Sequence, residues 1–147
     1  MKIVRYTSRI EERDDMETLL EAIKVVFVES ANGSEGAREA FNQLESRLSS
    51  LKGRKFYGTL QYPNGPYRAC LALEDDDDLN LLGLDTWMIS GGKYAREKIE
   101  NWPECLREIS QVFSALSQAY QNRVDPDRPR IEFYKSQKEL ILLLPIQ

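Results

Sequence analysis

Apolar and polar positions follow two periods along this chain, and the switches between them outline its elements. Lys2 to Arg13 alternates weakly and reads as an edge strand. Leu19 to Glu29 carries Ile23, Val25, Val26, Phe27 and Val28, a β-branched run of the kind buried on both faces of a sheet. Ala31-Asn32-Gly33-Ser34 breaks that run, with Ser34 placed to cap a helix. Phe41, Leu44, Leu48 and Leu51 then recur at helical spacing among charged residues, and Lys52-Gly53 closes the predicted helix. Lys55 to Tyr62 and Tyr67 to Leu73 read as the strands of a hairpin around Pro63-Asn64-Gly65-Pro66.

After the acidic run Glu74 to Asp78 the same order returns. Thr86 to Ile89 is strand-like, Gly91-Gly92 bends the chain, and Tyr94 to Ile99 continues it. Asn101-Trp102-Pro103-Glu104 has the make-up of a helix start, with Asn as cap, Pro in the first turn and Glu reaching back. Trp102, Leu106, Ile109, Phe113, Leu116 and Tyr120 form one apolar stripe. A loop over Asn122 to Arg130 leads to two last strands, Ile131 to Lys135 and Leu140 to Ile146. The pattern predicts an α+β fold of duplicated βαββ units, approximately 1–78 and 79–147, within a single domain. Their mostly antiparallel sheet is expected to carry two helices on one face and a central ligand cleft on the other.

Composition narrows the chemistry. The chain has 147 residues, 41% hydrophobic and 30% charged, which suits one folded soluble domain. A net charge of −4 does not invite nucleic acid but would steer a cation inward. The absence of histidine removes His-assisted triads and the common zinc sites. Cys70 and Cys105 lie outside any CxxC spacing and read as reduced thiols. No cofactor or metal is expected. The acidic run lacks the spacing of a calcium loop and reads as a solvated connection between the halves. No signal peptide or membrane span is visible, so a cytoplasmic protein is expected. Unpaired strand edges leave a homodimer open.

A family resemblance emerges in the second half. Ile89-Ser90-Gly91-Gly92-Lys93-Tyr94-Ala95 is similar to the "small residue, Gly, aromatic, Ala" strand entry of GyrI-like effector-binding domains. Arg128-Pro129-Arg130-Ile131-Glu132-Phe133-Tyr134 with Leu144-Pro145-Ile146 resembles that family's "Pro-x-hydrophobic-Glu-x-Tyr … Ile/Leu-Pro-Ile" ending. Tyr57-Gly58 and the proline loop before Tyr67 add to it, whereas Tyr62 stands before Pro63 where the family usually carries an acid. The resemblance implies a small-molecule-binding, multidrug-binding type of domain. It is found fused to AraC-type or other helix-turn-helix regulators and also alone, as gyrase modulators or drug-sequestering proteins. It implies organic cations or aromatic molecules as partners, and hydrolysis of cyclopropane-bearing genotoxins in some standalone relatives.

Strand alternation puts Glu132 and Tyr134 on one face, and Ile131 and Phe133 on the other. If the apolar pair faces the helices, Glu132 lies in the cleft, where a carboxylate among aromatic rings suits an organic cation. Tyr57, Tyr67, Trp87 and Tyr94 are candidate cleft linings, whereas Trp102, Phe41 and Phe113 read as core. The leading expectation is a standalone binding protein for cationic, aromatic or amphipathic molecules. Two others stand beside it: a small hydrolase using Glu132 and Tyr134, and a protein-binding regulator such as a gyrase modulator.

Overall fold

A computed structural model describes residues 16–147; the strand expected over Lys2 to Arg13 lies outside them. The first half contains β1 (Glu17–Leu20), β2 (Ile23–Glu29), α1 (Ala37–Glu45), β3 (Phe56–Leu60) and β4 (Tyr67–Ala72). A single turn, α2 (Leu79–Leu82), leads to β5 (Asp85–Ile89) and β6 (Gly92–Glu100). Then follow α3 (Glu108–Ala119), β7 (Arg130–Tyr134) and β8 (Glu139–Pro145). The α+β class and the duplicated βαββ order, β2-α1-β3-β4 and β6-α3-β7-β8, are those the pattern predicts. All neighbouring strands are antiparallel, in the order β1-β6-β8-β7-β3-β4-β2-β5. The halves therefore meet at β3 and β7, where Gly58 stands opposite Glu132.

The sheet curls. Leu20 pairs with Gly92 and Ile23 with Ile89, so the two ladders share one register across the connection between them. Residues 17–29 thus cross residues 85–95 as two long bent strands, and each half lends its leading strand to the other. At the crossing, a Cβ on Gly91 would stand 2.7 Å from the Ala22 nitrogen and 2.8 Å from the Leu20 carbonyl oxygen. Only glycine permits that approach of two backbones.

Curling gives the sheet an inner and an outer layer. Val25, Tyr57, Cys70, Ile89, Tyr94, Ile131, Ile141 and Leu143 form one cluster, with Leu20 packed against it. Every strand contributes and no helix does, so this is the inside of a half-barrel filled by its own side chains. The outer face carries two separate caps. Under α1, Ala40 and Leu44 cover Val26, Ala69 and Leu71; under α3, Phe113 and Leu116 cover Ala95, Leu140, Leu142 and Leu144.

Both helices are shorter than their spacing predicts. α1 starts at Ala37, after a 3-10 turn over Gly33–Gly36, and ends at Glu45. The Ser46 hydroxyl donates to the Gln43 carbonyl at 2.6 Å, competing for the acceptor that the next helical N–H would use. Leu51 is left exposed. At the second start, Asn101 is not a helix cap: its N–H and that of Trp102 both donate to the Lys138 carbonyl, at 2.6 and 3.4 Å. That tie prolongs the β6–β8 edge and holds Asn101 at φ 56, a conformation Asn tolerates. Trp102–Glu104 form a 3-10 turn and α3 begins only at Glu108, with Leu106 exposed between them.

The acidic run is not simply solvated. Arg54 grips Asp77 with two bonds, at 2.9 and 2.7 Å, and holds that carboxyl below its usual range. Asp78 caps α2, accepting from the N–H groups of Asn80 and Leu81. Glu74, Asp76 and Asp77 bring carboxylate oxygens within 4.8 Å of one another, with Arg54 as their cation. Among the described residues no helix is long and apolar enough to cross a membrane.

Candidate functional site

Strand parity decides which side chains reach the gap between the two helical caps. Ile131 and Phe133 belong to the inner layer, so Glu132 and Tyr134 point outward, to the helix-bearing side. The condition under which Glu132 would face the opposite, helix-free side is thus reversed. The physical reason is the curl: it turns the helix-free face into a packed interior, and that interior takes the apolar pair.

Glu132 sits at the centre of this outer gap. Its Oε1 accepts from the Tyr67 hydroxyl and from the Tyr134 hydroxyl, each at 2.7 Å. The two phenol oxygens are themselves 3.5 Å apart. Burial pushes the Glu132 pKa up, and the two hydroxyl donors pull it partly back. Both phenols are shifted upward, first by burial and then by the neighbouring carboxylate. They stay protonated and donating. Among the described residues Oε2 has no protein donor, and it is not a buried orphan either. One oxygen is committed to the fold and the other is left without a donor among the described residues.

The floor of the site is a glycine. A Cβ on Gly58 would overlap the Tyr67 hydroxyl and come within 2.6 Å of Glu132 Oε1. Any side chain there would displace the pair, so the bare backbone of β3 makes the room. The walls are aromatic. Phe41 of α1 stands edge-on to Tyr134 at 5.2 Å, and Trp102 does so from the other side at 5.0 Å. The Trp102 indole N–H donates to the Ser136 carbonyl at 2.9 Å, which fixes the ring. Phe56 lies behind Phe41 at 6.4 Å.

Of the six residues expected at the cleft, the structure brings together Glu132, Tyr134 and Tyr67. Tyr57, Trp87 and Tyr94 lie on the other face. Tyr57 is one residue out of phase with Gly58 and stacks on Phe133 at 4.8 Å inside the half-barrel. Trp87 packs edge-on to Phe27, with the Arg68 guanidinium 4.6 Å over its ring. Tyr94 is buried under Arg128 and donates to the Ser90 carbonyl at 2.6 Å. Phe41 and Trp102, read from spacing as core, are the rings that flank Tyr134. Nothing in helical spacing distinguishes that use, because the stripe facing the sheet also contains its edge. Two surface hollows, one along α1 and one beside Phe27, Arg68 and Asp85, are lined by other residues.

No family model and no curated protein matches the chain in sequence. Solved structures do share its fold. SAV2435 bound to tetraphenylphosphonium superposes with a TM-score of 0.60 at 14% identity, over 89% of this chain and 92% of that one. A Vibrio cholerae integron cassette protein gives 0.62 at 14% identity, over 89% and 94%. A hydrolase from Listeria innocua gives 0.52 at 11% identity, over 89% and 90%. At such identities the likeness establishes the fold: a curled antiparallel sheet in an α+β chain.

Proposed function

We propose that this chain is a binding protein of the GyrI-like kind for organic molecules with a cationic centre and aromatic or amphipathic surface. The observation that carries the reading is the half-committed carboxylate: Glu132 keeps Oε2 unpaired in a gap walled by Phe41, Trp102, Tyr67 and Tyr134. An ionised carboxylate held away from water is costly without a counter-charge, and a bound cation supplies one. A bulky cation needs no directed hydrogen bond, only a negative charge and ring faces, and these are what the gap offers. Phe41 and Trp102 each meet Tyr134 edge to face beside the carboxylate, so a broad ligand enters as these rings swing aside. The fold neighbour SAV2435 takes tetraphenylphosphonium, a cation of this type.

Titration with tetraphenylphosphonium, followed by thermal unfolding, tests the reading. Binding to the native state raises the melting temperature by mass action, and Glu132→Gln should abolish most of the rise. An equal rise in both proteins would remove charge pairing from the account.

The raised pKa of Glu132 favours a second reading, acid–base hydrolysis of a strained electrophile, with Tyr134 orienting the acid. It predicts turnover of a cyclopropane-bearing alkylator that Glu132→Gln abolishes. Saturable binding without turnover leaves the binding reading alone.

A further inference from the structure

Among the described residues, one partly buried cation on the outer face has no acid to balance it. Arg130 stands two residues before Glu132 on β7, on the same side of the strand, about 7 Å along it by strand geometry. Its guanidinium is partly buried against two rings: the Tyr62 centroid lies 3.7 Å from the central carbon and that of Phe113 of α3 lies 5.1 Å away. Its Nη2 donates to the Ser117 hydroxyl at 3.2 Å. Among the described residues no carboxylate pairs with it; burial lowers its pKa, and the Tyr62 phenol acts to raise it again. None of its nitrogens is a buried orphan, so the remaining N–H donors are open to solvent.

Four other arginines of the fold are used differently. Arg54, Arg68, Arg123 and Arg128 each have a carboxylate partner, Asp77, Glu29, Glu17 and Asp125 respectively. The Tyr62 ring stacked under the Arg130 guanidinium leaves its edge as a fork, the geometry that binds a carboxylate with two parallel bonds. Glu132 does not fill that role. The two residues form no ion pair, and neither is a cause of the other's shifted pKa. The outer face of β7 therefore presents a positive and a negative pole side by side, each lacking a partner of opposite sign among the described residues.

We propose that Arg130 is the second pole of the Glu132 site, and that the site takes amphoteric organic molecules. The cationic centre meets Glu132, the ligand's carboxylate meets the Arg130 fork, and an aromatic body bridges them. This deepens the binding reading above and rests on it. It also supplies specificity: a lipophilic cation without an acid leaves Arg130 unpaired beside it, whereas an amphoteric molecule satisfies both poles.

A matched pair of fluorescent dyes tests it. Rhodamine 110 carries a free carboxylate, and rhodamine 123 is its methyl ester, with the same xanthylium cation and no acid. Anisotropy titration of the whole chain should show rhodamine 110 binding about tenfold tighter, the worth of one charge-assisted pair. Arg130→Gln should remove the preference while leaving rhodamine 123 bound as tightly or tighter. Arg130→Lys, which keeps the charge and loses the fork, should retain part of the preference and serves if the glutamine variant fails to fold. Equal affinity for the two dyes in the wild type, or a preference that survives both substitutions, overturns the second pole and leaves the cation site intact. Failure of both dyes to bind overturns both readings together, whereas binding of rhodamine 123 alone overturns only the second pole.

Discussion

The central strand β7 carries an aromatic ring on each of its two faces, Phe133 and Tyr134, and the faces behave differently. Inward, Phe133 stacks on Tyr57 with rings 4.8 Å apart and 18° from parallel, and Ile131 is fully buried among aliphatic neighbours. Outward, Tyr134 and Tyr67 aim hydroxyls at one carboxylate oxygen, and Phe41 and Trp102 meet Tyr134 edge to face. The inner face is closed and satisfied. Among the described residues the outer one contains a desolvated acid, a guanidinium without a carboxylate partner and a carboxylate oxygen without a donor. A tyrosine on the inner side adds area to the core, whereas on the outer side it positions a charge. The position of a residue relative to the curl, more than its type, decides which it does.

The largest expected effect separates the faces at their closest point. Ile131→Ala deletes fully buried aliphatic volume from the inner layer and should destabilise the chain by about 2–5 kcal/mol in urea unfolding. Because Ile131 does not touch the gap, the folded fraction should bind an organic cation with unchanged affinity. A large loss of affinity would mean that the layers are coupled.

Gly58→Ala comes next and works in the opposite sense. Its added methyl would overlap the Tyr67 hydroxyl and crowd Glu132, at a cost of about 1–3 kcal/mol typical of overpacking. Its signature is disproportionate loss of binding, since the displaced pair is the site itself. Unchanged affinity would show that Tyr67 can move without consequence.

Much of this architecture is legible in the residue pattern, and what is not has identifiable causes. The repeat of strand, helix and hairpin was readable because each element carries its own period and its own breakers, as at Asn64-Gly65 and Gly91-Gly92. Glu132 with Tyr134 was readable as one face of a strand. Which way that face points was not, because alternation fixes relative sides only. The curl that settles the direction comes from the shared register of residues 17–29 and 85–95, a pairing of segments far apart in the chain. Tyr57, Trp87 and Tyr94 were assigned to the cleft for their type and lie on the opposite side. Arg130 carried a usable signal, the same parity as Glu132. Phe41 and Trp102 carried none, because a ring at a helix edge and a ring in its core share the same spacing.

The smallest effect is a matter of sign, and it reads the charge on Glu132 directly. Burial raises its folded pKa above the 4.5 of an unperturbed glutamate. Below that value the acid is neutral in the folded and unfolded chains alike, and its contribution to stability is intact. As pH rises through 4.5 toward the folded pKa, the unfolded chain gives up the proton freely while the folded one resists. The wild type therefore loses stability across this window. Glutamine has no proton to lose and can still accept the tyrosine hydrogen bonds through its carbonyl. The melting temperature of Glu132→Gln relative to wild type should rise as pH increases through the window and then level off. A flat difference would mean that the carboxylate is effectively solvated. Saturating tetraphenylphosphonium should shrink the gap, because a cation against Oε2 favours the ionised form and draws the folded pKa back down. For the same reason the affinity for that cation should increase with pH over the same interval, which ties the ligand and the proton to one carboxylate.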